Sequence, residues 1–451
     1  MDGDLLLETA ESILDLVGDR AEAEVMVSSG RSALTRFANS YIHQNVADLG
    51  HWARLRVVAD GRSATVGTSR LSTGLPDLVE RAFQAAALRP VDPEWPGLAP
   101  PAPAPPHADV WDEPTAVAPP HTRAEVVEGF VEAGLRGPNT VAGGPTTTAA
   151  GFCQTGGHEV AFANSAGQRL YGRSTRASVE GIHRVPGADG GARQVAGRVA
   201  ELDGAATGLV AAGKALRSIE AVDVEPGEWE VVLEPSCVAD VMKFLVGQGF
   251  NAKHHAEGQS FVRLGEAQLD PRVTIVDDAT DPRILGIPFD AEGTPCRRLE
   301  LVGRGVCAAL AYDRRTAKAS GTESTGHGVA GGEAAGPVPH HLFLEPGPTS
   351  PDDLIASVER GLLVTDFWYT RILDPKTTVV TGLTRNGTFL VEDGRITGAV
   401  RNLRFTQSYV DALGPGNVLG VGNDARLAGE NHHHVPTLHL RRWHFSGGAR
   451  G

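Results

Sequence analysis

Histidine and acidic side chains that could bind a metal ion or a substrate lie at three places in the sequence. His254 and His255 precede Glu257 in the run HHAE, His327 stands in the run STGHG, and three histidines occupy positions 432–434. Imidazole nitrogens bind transition metals, and near neutral pH they also contact peptide carboxylates or amides. Three interpretations stay open: a metal site built from these histidines, a substrate cavity lined by His254, His255, Glu257 and His327, or solvated loops.

Five carboxylates form a second cluster in the sequence: Asp277, Asp278, Asp281, Asp290 and Glu292. Paired carboxylates can act as general acid and base, or they can bind calcium. Their spacing does not fit an EF-hand loop, and Asp in a run such as DDATDP commonly accepts hydrogen bonds from nearby backbone N–H groups. We therefore predict a structural role in turns. The STGHG loop could hold an anion, but the chain has no GxGxxG or Walker motif for a nucleotide.

One common arrangement of metallopeptidases, two His on one helical face with a Glu between them, is missing. In such a helix the His residues hold zinc, and the Glu takes a proton from zinc-bound water. No HExxH or HExxxH run occurs in the 451 residues. Four scattered cysteines without a CxxC pair indicate buried, reduced thiols: Cys153, Cys237, Cys296 and Cys307. The residues themselves therefore give no complete catalytic set.

Apolar periodicity and turn residues predict the elements of the first half of the chain. We expect helices at 5–17, 74–88 and 122–135, strands over 24–67 and 146–183, and a hairpin turn at Asp60-Gly61. Residues 99–106, APPAPAPP, are predicted to run extended, because proline supports neither helix nor ladder. The run FANS at 37–40 recurs at 162–165, by chance or through a duplicated β-unit. The Ala-rich run 191–218 predicts one loose helix or two.

The second half of the chain changes character near residue 222. A strand is predicted at GEWEVVLEP, ending at Pro235, followed by a helix with Ser236 as its N-cap and Gly249 near its end. Asn386-Gly387 and Asp393-Gly394 predict two hairpin turns between short strands. The sequence thus predicts an α+β fold with two domains: an N-terminal α/β domain over 1–222, with helices on mixed or antiparallel strands, and a C-terminal domain over 223–451 that is a large antiparallel β-sheet or barrel-like.

Composition excludes several classes of function. The net charge is −14, with 41 Lys and Arg against 55 Asp and Glu, which argues against a nucleic-acid partner. No apolar run approaches the 18 or so residues that a membrane-spanning helix needs. The N-terminal residues MDGDLLLETAESILDL are acidic and do not resemble a secretory signal. We expect a cytoplasmic protein.

The stretch from Val273 to Gly328, with its runs VTIVDDATDP, FDAEG and STGHG, resembles the C-terminal half of the TldD/PmbA family. The C-terminal run VPTLHLRRWHFSGG extends this resemblance. In the TldD branch a helix before the DDATDP-type segment carries HExxxH and zinc. Aligned on the frame GQGFNAK, those motif positions fall here on Ala239, Asp240 and Phe244. The C-terminal cysteine of the catalytic branch has no counterpart, so the chain is similar to the TldE/PmbA branch, which lacks the zinc motif.

This resemblance implies the non-metal subunit of a TldD/TldE-type zinc metallopeptidase complex that acts on peptides. It implies no catalytic residue and no bound cofactor in this chain, with zinc held by a TldD-like partner in a heterodimer. The cavity that His254, His255, Glu257 and His327 line would then be shared with the partner. Two alternatives remain: a family member that hydrolyses amides in natural-product maturation, and a non-catalytic homodimer. Neither nucleic acid nor membrane is an expected partner.

Overall fold

The computed structural model describes residues 3–105, 110–136, 147–430 and 433–448. Within these ranges the chain has the predicted α+β fold, with helices packed on three largely antiparallel sheets. No helix among the described residues is long and apolar enough to cross a membrane.

One six-stranded sheet organises the first half of the chain, in the order β3-β2-β1-β4-β5-β6. The elements are α1 Gly3–Val17, β1 Glu22–Ala38, β2 Tyr41–Ala59, β3 Arg62–Thr68, α2 Leu75–Ala87, α3 Glu113–Ala116, α4 Pro120–Arg136, β4 Thr148–Asn164, β5 Arg169–Val185, β6 Ala188–Ala196 and α5 Gly204–Arg217. The predicted helices correspond to α1, α2 and α4. Asp60 and Gly61 both have positive φ and link β2 to β3, as the hairpin prediction requires.

The sheet is made of two β-units with the same topology. Strands β1, β2 and β3 form one meander, β4, β5 and β6 form the other, and β1 pairs antiparallel with β4 at the centre. The two FANS runs fall at equivalent places, at the end of the first strand of each unit. Shared topology together with the shared turn sequence supports duplication rather than chance.

The predicted helix at 191–218 is wrong in its first part. Residues 188–196 form β6, and the helix α5 begins only at Gly204, after the N-cap Asp203. Alanine and glycine are abundant here because α5 packs very closely on β6. A Cβ at Gly190 would lie 2.2 Å from the backbone nitrogen of Ala215. The small residues that this tight helix–sheet contact requires therefore gave the sequence the composition of a loose helix.

The second half of the chain begins with β7 and contains the other two sheets. Its elements are β7 Gly227–Leu233, α6 Pro235–Gly249, α7 Ala252–Ala256, β8 Ile275–Asp277, β9 Leu299–Gly303, β10 Val306–Cys307, α8 Arg314–Ser320, α9 Gly332–Ala335, β11 Leu342–Leu344, α10 Pro351–Ala356, β12 Arg360–Val364, β13 Phe367–Asp374, β14 Val379–Thr384, β15 Thr388–Glu392, β16 Arg395–Ala399, β17 Leu403–Ser408, α11 Tyr409–Ala412, β18 Val418–Val421, β19 Arg426–Ala428, β20 His433–Val435 and β21 Leu438–Gly448.

The larger sheet of this half has nine strands in the order β13-β14-β17-β21-β7-β12-β15-β16, with β18 also paired to β21. It is antiparallel except for the pair β7–β12, and it ends at β13 and β16. Of the two predicted forms, the large sheet is therefore correct and the barrel-like form is wrong. A six-stranded sheet, β10-β9-β8-β11-β20-β19, completes the fold.

Two turn predictions have different outcomes. Asp393-Gly394 closes the β15–β16 hairpin, as predicted. Asn386-Gly387 does not close a hairpin, because β14 pairs with β13 and β17 while β15 pairs with β12 and β16. The Asn386 amide instead donates to Asp366, 2.9 Å away, so a long-range contact holds this connection.

The proline-rich run has neither helix nor strand over residues 99–105, in agreement with the expectation that proline supports neither; Pro106 lies outside the described residues. The segment is anchored at its start, since the side-chain amide of Asn164 donates to the Ala99 carbonyl over 2.8 Å. The boundary at 222–223 falls between α5, on the first sheet, and β7, in the nine-stranded sheet. That boundary stays a prediction.

Candidate functional site

Helix α6 is the element on which a family zinc site would lie, and it is buried in the main core of the second half. Strand β7 enters the core at Val231–Leu233, Pro235 at the first helical turn then starts the helix, and Gly249 ends it. Ser236, predicted as the N-cap, lies inside the helix and donates to Asp366 over 2.9 Å. The N-cap is Glu234, two residues earlier than predicted, because Pro235 occupies the first helical position.

Two of the three motif positions on α6 carry side chains that cannot bind a metal. Ala239 is fully buried, and a Cβ at Gly429 would lie 2.7 Å from its methyl group, so the chain crosses directly over it. Phe244 packs edge-on against Tyr409, with the ring centroids 6.3 Å apart. Apolar contacts thus occupy the space beside both positions.

The third motif position, Asp240, is a buried carboxylate with two side-chain donors. Thr370 on β13 donates to Oδ1 over 2.8 Å, and the Tyr409 hydroxyl donates to Oδ2 over 2.9 Å. Burial raises the pKa of Asp240 to about 6, against the opposing effect of these hydrogen bonds. Both carboxylate oxygens are therefore engaged within the protein. Sequence reasoning missed Thr370 and Tyr409, since neither lies near a motif.

His254, His255 and Glu257 lie on and just after α7, a short helix capped by Asn251. The Asn251 side chain accepts from the backbone N–H groups of Lys253 and His254. Both histidines are half-buried, and Glu257 is exposed and forms an ion pair with Lys253. His254 Nδ1 lies 3.4 Å from the Gln248 carbonyl. The two imidazoles are thus accessible from one short turn that adjoins the end of α6.

His327 differs from the other candidates because it is buried and paired. Its Nε2 lies 3.1 Å from Oδ1 of Asp277, and its Nδ1 lies 2.8 Å from the Thr325 hydroxyl. Burial opposes protonation of this imidazole, but Asp277 raises its pKa overall. Burial likewise opposes ionisation of Asp277, and His327 and His341 nevertheless hold the pKa of that carboxyl well below its ordinary value. The pair is an ion pair that fixes the STGHG loop on the end of β8.

The remaining carboxylates of the acidic cluster divide into turn caps and a buried pair. Asp278 accepts from Thr280 and Asp281 accepts from Arg283, which is the turn chemistry that the sequence predicts. Asp290 also caps its own loop and accepts from the Gly328 N–H over 2.7 Å.

Asp290 and Glu292 are both buried, and among the described residues no cationic side chain lies at hydrogen-bond distance from either carboxylate. Burial raises the pKa of Asp290 to about 6. Burial, together with the neighbouring Asp290 carboxylate, raises the pKa of Glu292 to about 8. One oxygen of Glu292 accepts from the Arg314 backbone N–H over 2.9 Å. Burial and mutual repulsion therefore disfavour ionisation of both carboxyl groups at the same time.

The structure brings some of the sequence-predicted residues together and keeps others apart. His327 meets Asp277 and faces Asp290. Among the described residues, no hydrogen bond or ion pair joins His327 to His254 or His255. His432 lies outside the described residues, and His433 is buried in β20. In the described ranges no group of three His, Cys, Asp or Glu side chains could hold a metal ion.

A cleft of about 530 Å³ lies away from these candidates, where the first sheet meets the nine-stranded sheet. Its walls include the β5–β6 turn, the end of α5 and the ends of β15 and β16, with Arg184, Asp189 and Arg401 among the charged residues. Arg401 forms an ion pair with Asp223. None of the sequence-predicted site residues lines it.

Two family models match the chain. Residues 226–447 match the PmbA/TldA metallopeptidase C-terminal domain, and residues 23–86 match PmbA/TldA metallopeptidase domain 1. The two matched regions together make up more than half of the chain.

Curated relatives agree with this match. A metalloprotease of Methanothermobacter thermautotrophicus is 28% identical over 220 residues, which are 48% of this chain and 47% of the relative. A metalloprotease TldD homolog of Haemophilus influenzae is 27% identical over 205 residues, 44% and 42% of the two chains. The chain thus spans about half the length, or slightly less, of the curated relatives it matches.

Solved structures share the whole fold. TldE of Thermococcus kodakarensis superposes with a TM-score of 0.82 at 20% identity, over 98% of this chain and 99% of that one. A protein of Thermotoga maritima described as a candidate modulator of a DNA gyrase gives a TM-score of 0.82 at 19% identity, over 97% and 99%. At this level of identity the likeness is one of fold.

Proposed function

The chain belongs to the PmbA/TldD family, and on that premise we propose that it is the non-metal, TldE-like subunit of a zinc metallopeptidase complex acting on peptides. Its partner is a homologous TldD-type subunit that carries the zinc motif. A zinc ion in such a partner activates water for attack on the amide. This chain contributes no catalytic residue and no metal ligand. Its free cysteines are compatible with a cytoplasmic location.

One observation carries this proposal: the occupation of the motif positions on α6. A zinc site needs three protein ligands and an open position for water. Here Ala239 and Phe244 offer no ligand atom, and Asp240 already accepts from Thr370 and Tyr409. The residues present do not fit zinc, so no step of hydrolysis is assigned to this chain.

The role left to this subunit is to position the peptide in a cavity shared with the partner. His254, His255 and Glu257 are the candidates for that contact, because they are accessible on the turn after α6. Neutral or protonated imidazole can hydrogen-bond a peptide amide or carboxylate. His327 is the weaker candidate, since it is buried, Thr325 hydrogen-bonds its Nδ1, and Asp277 lies 3.1 Å from its Nε2.

Co-expression with the zinc-motif family member of the same genome tests the proposal. Native mass spectrometry and metal analysis should find a hetero-assembly with zinc in the partner only, and the assembly should cleave an unstructured peptide that this chain alone leaves intact. Stoichiometric zinc and peptide hydrolysis by the purified chain alone would refute the proposal. A stable homodimer that does not exchange with the partner would refute it as well.

Peptide positioning has its own test within that assembly. The double substitution His254→Gln and His255→Gln should raise KM for the peptide while leaving assembly intact. His121→Gln, on the exposed face of α4, is the matched control and should leave KM unchanged. An unaltered KM in the double variant would remove these histidines from the substrate contact.

A further inference from the structure

Strand β2 leaves a long stretch of its edge without a partner strand. Strand β3 pairs only with residues 53–59 of β2, so residues 41–52 pair with β1 on one side alone. Every residue from 41 to 50 is exposed on both faces of the strand. Among the described residues no backbone group pairs with this outer edge. We call residues 41–52 the open edge.

The open edge is apolar as well as unpaired. It carries five large exposed side chains: Tyr41 (60% exposed), Ile42 (37%), Val46 (46%), Leu49 (60%) and Trp52 (50%). Its sequence, YIHQNVADLGHW, has no lysine, arginine or proline and only one acidic residue. Soluble proteins protect long edge strands with charges, prolines, bulges or a covering segment. Along residues 41–52 this strand has only one acidic residue, Asp48, and one bulge, at His43 near its start, and no described segment pairs with its outer edge, so an external partner is the remaining protection.

The second β-unit shows how the same position is covered within the chain. There β6 pairs with β5 only from Ala177 onward, which leaves residues 169–176 as the equivalent edge. Thr175 donates from its backbone N–H to the Val110 carbonyl over 3.2 Å, and Ile287 and Phe289 lie against Gly172. Within the part of the chain that the structure describes, the edge of one unit is therefore covered and its counterpart in the other unit is open.

The composition of the open edge selects the class of occupant. Because the stretch is nearly neutral, it fits neither nucleic acid nor an anionic membrane. An extended protein strand satisfies both the unpaired backbone groups and the apolar side chains. Homologous subunits related by a two-fold axis can pair the same edge strand antiparallel.

The family match indicates which protein supplies that strand. The domain 1 model covers residues 23–86, which contain the complete β1–β3 meander. A TldD-type member of the family carries the same domain and hence an equivalent strand. We propose that the open edge pairs antiparallel with the corresponding strand of the TldD-type subunit and joins the two N-terminal sheets into one. This inference rests on the proposed function, because it takes the partner from there.

The size of the contact suits a stable assembly. A strand of twelve residues is about 40 Å long. With a contact about 10 Å wide on each of its two faces, roughly 800 Å² per partner is buried, which is the size of a standard specific interface. Tyr41 and Trp52 lie at its two ends. Tyrosine and tryptophan are enriched among the interface residues that contribute most to the binding free energy.

Lysine substitutions on the open edge test the proposal. The variant Val46→Lys with Leu49→Lys places two charges on the edge. Its matched control is Val210→Lys with Leu88→Lys, which replaces the same residue types at comparably or more exposed positions, 51% and 86%, outside the strand. Both variants should fold, since exposed substitutions change stability little. Circular dichroism and thermal unfolding of each variant verify this.

Assembly is measured with the zinc-motif family member by native mass spectrometry and titration. The edge variant should raise Kd at least tenfold, and the control should leave it unchanged. Hydrogen exchange should show amides 41–52 protected on assembly of the wild type. If the edge variant assembles like wild type, the strand pairing is refuted and the proposed function stands. If the wild type forms no hetero-assembly, both fall. A homodimer of the wild type that the edge variant abolishes would overturn the assignment of the occupant.

Discussion

Replacing Asp277 with asparagine tests whether His327 is a structural residue or part of a substrate cavity. The two side chains are 2% and 3% exposed, and Nε2 of His327 lies 3.1 Å from Oδ1 of Asp277. The other oxygen of Asp277 accepts from the His341 backbone N–H over 2.8 Å. Asparagine keeps the shape but offers only one acceptor oxygen, so it cannot serve both donors. The imidazolium is then left buried without its counter-ion.

The expected cost follows from breaking a buried ion pair on one side. Such changes lower the free energy of unfolding by about 3–5 kcal/mol. The contribution of this ion pair to stability is lost at low pH and also at high pH. The lowered pKa of Asp277 makes its part present above about pH 4 and lost as the pH falls. The raised pKa of His327 makes its part present below about pH 6.5 and lost as the pH rises through the folded-state value. The difference between wild type and variant should therefore be largest between about pH 4 and 6.5.

Urea unfolding at pH 6 and pH 9 measures this difference. Asp281→Asn is the control, because the ion pair of Asp281 with Arg283 is half exposed on the arginine side and should contribute less than about 1 kcal/mol. A loss below about 1 kcal/mol at pH 6 for the Asp277 variant, or an equal loss at both pH values, would refute the reasoning. His327 would then be free to contact substrate.

Three further predictions concern α6 and the buried carboxylates. Ala239→His, which restores the first motif ligand, should lower the free energy of unfolding in urea by about 1–3 kcal/mol, because Gly429 lies against the Ala239 methyl group; wild-type stability with bound zinc would contradict this. Tyr409→Phe should cost about 1–3 kcal/mol at pH 8 and less at pH 5, because Asp240, with a pKa of about 6, is ionised only at the higher pH; an equal cost at both pH values would contradict it. The free energy of unfolding of the wild type should fall as the pH rises from about 5 to 8, because the pKa of Glu292 is raised to about 8 in the folded state. In urea unfolding series Glu292→Gln should reduce that fall by about 2 kcal/mol or more. Parallel pH profiles of the variant and the wild type would contradict this prediction.

Local patterns were sufficient for most elements and for the family. The helices α1, α2 and α4 and the turn at Asp60-Gly61 follow from residue spacing and turn chemistry. Helix α6 was predicted to within a residue or two at its start. These features depend on neighbours along the chain, which a sequence displays directly.

Predictions failed where packing outweighed local preference. The small residues of β6 predict a helix, but they are small because Gly190 lies against the backbone of α5. That interaction has no local signature in the sequence. Asn386-Gly387 has hairpin residues but joins strands with different neighbours. In both cases the partner of the segment, and not the segment itself, decides its conformation.

The sequence by itself determined that this chain has no HExxH or HExxxH run, because the presence of such a run is a property of residue type and spacing. Only the tertiary structure decided what its polar candidates do. Tyr409 reaches Asp240 across 169 residues of chain, and the Thr325–His327 loop meets Asp277 on another element. A buried charge must find its partner wherever the fold places one, and sequence separation carries no record of that distance.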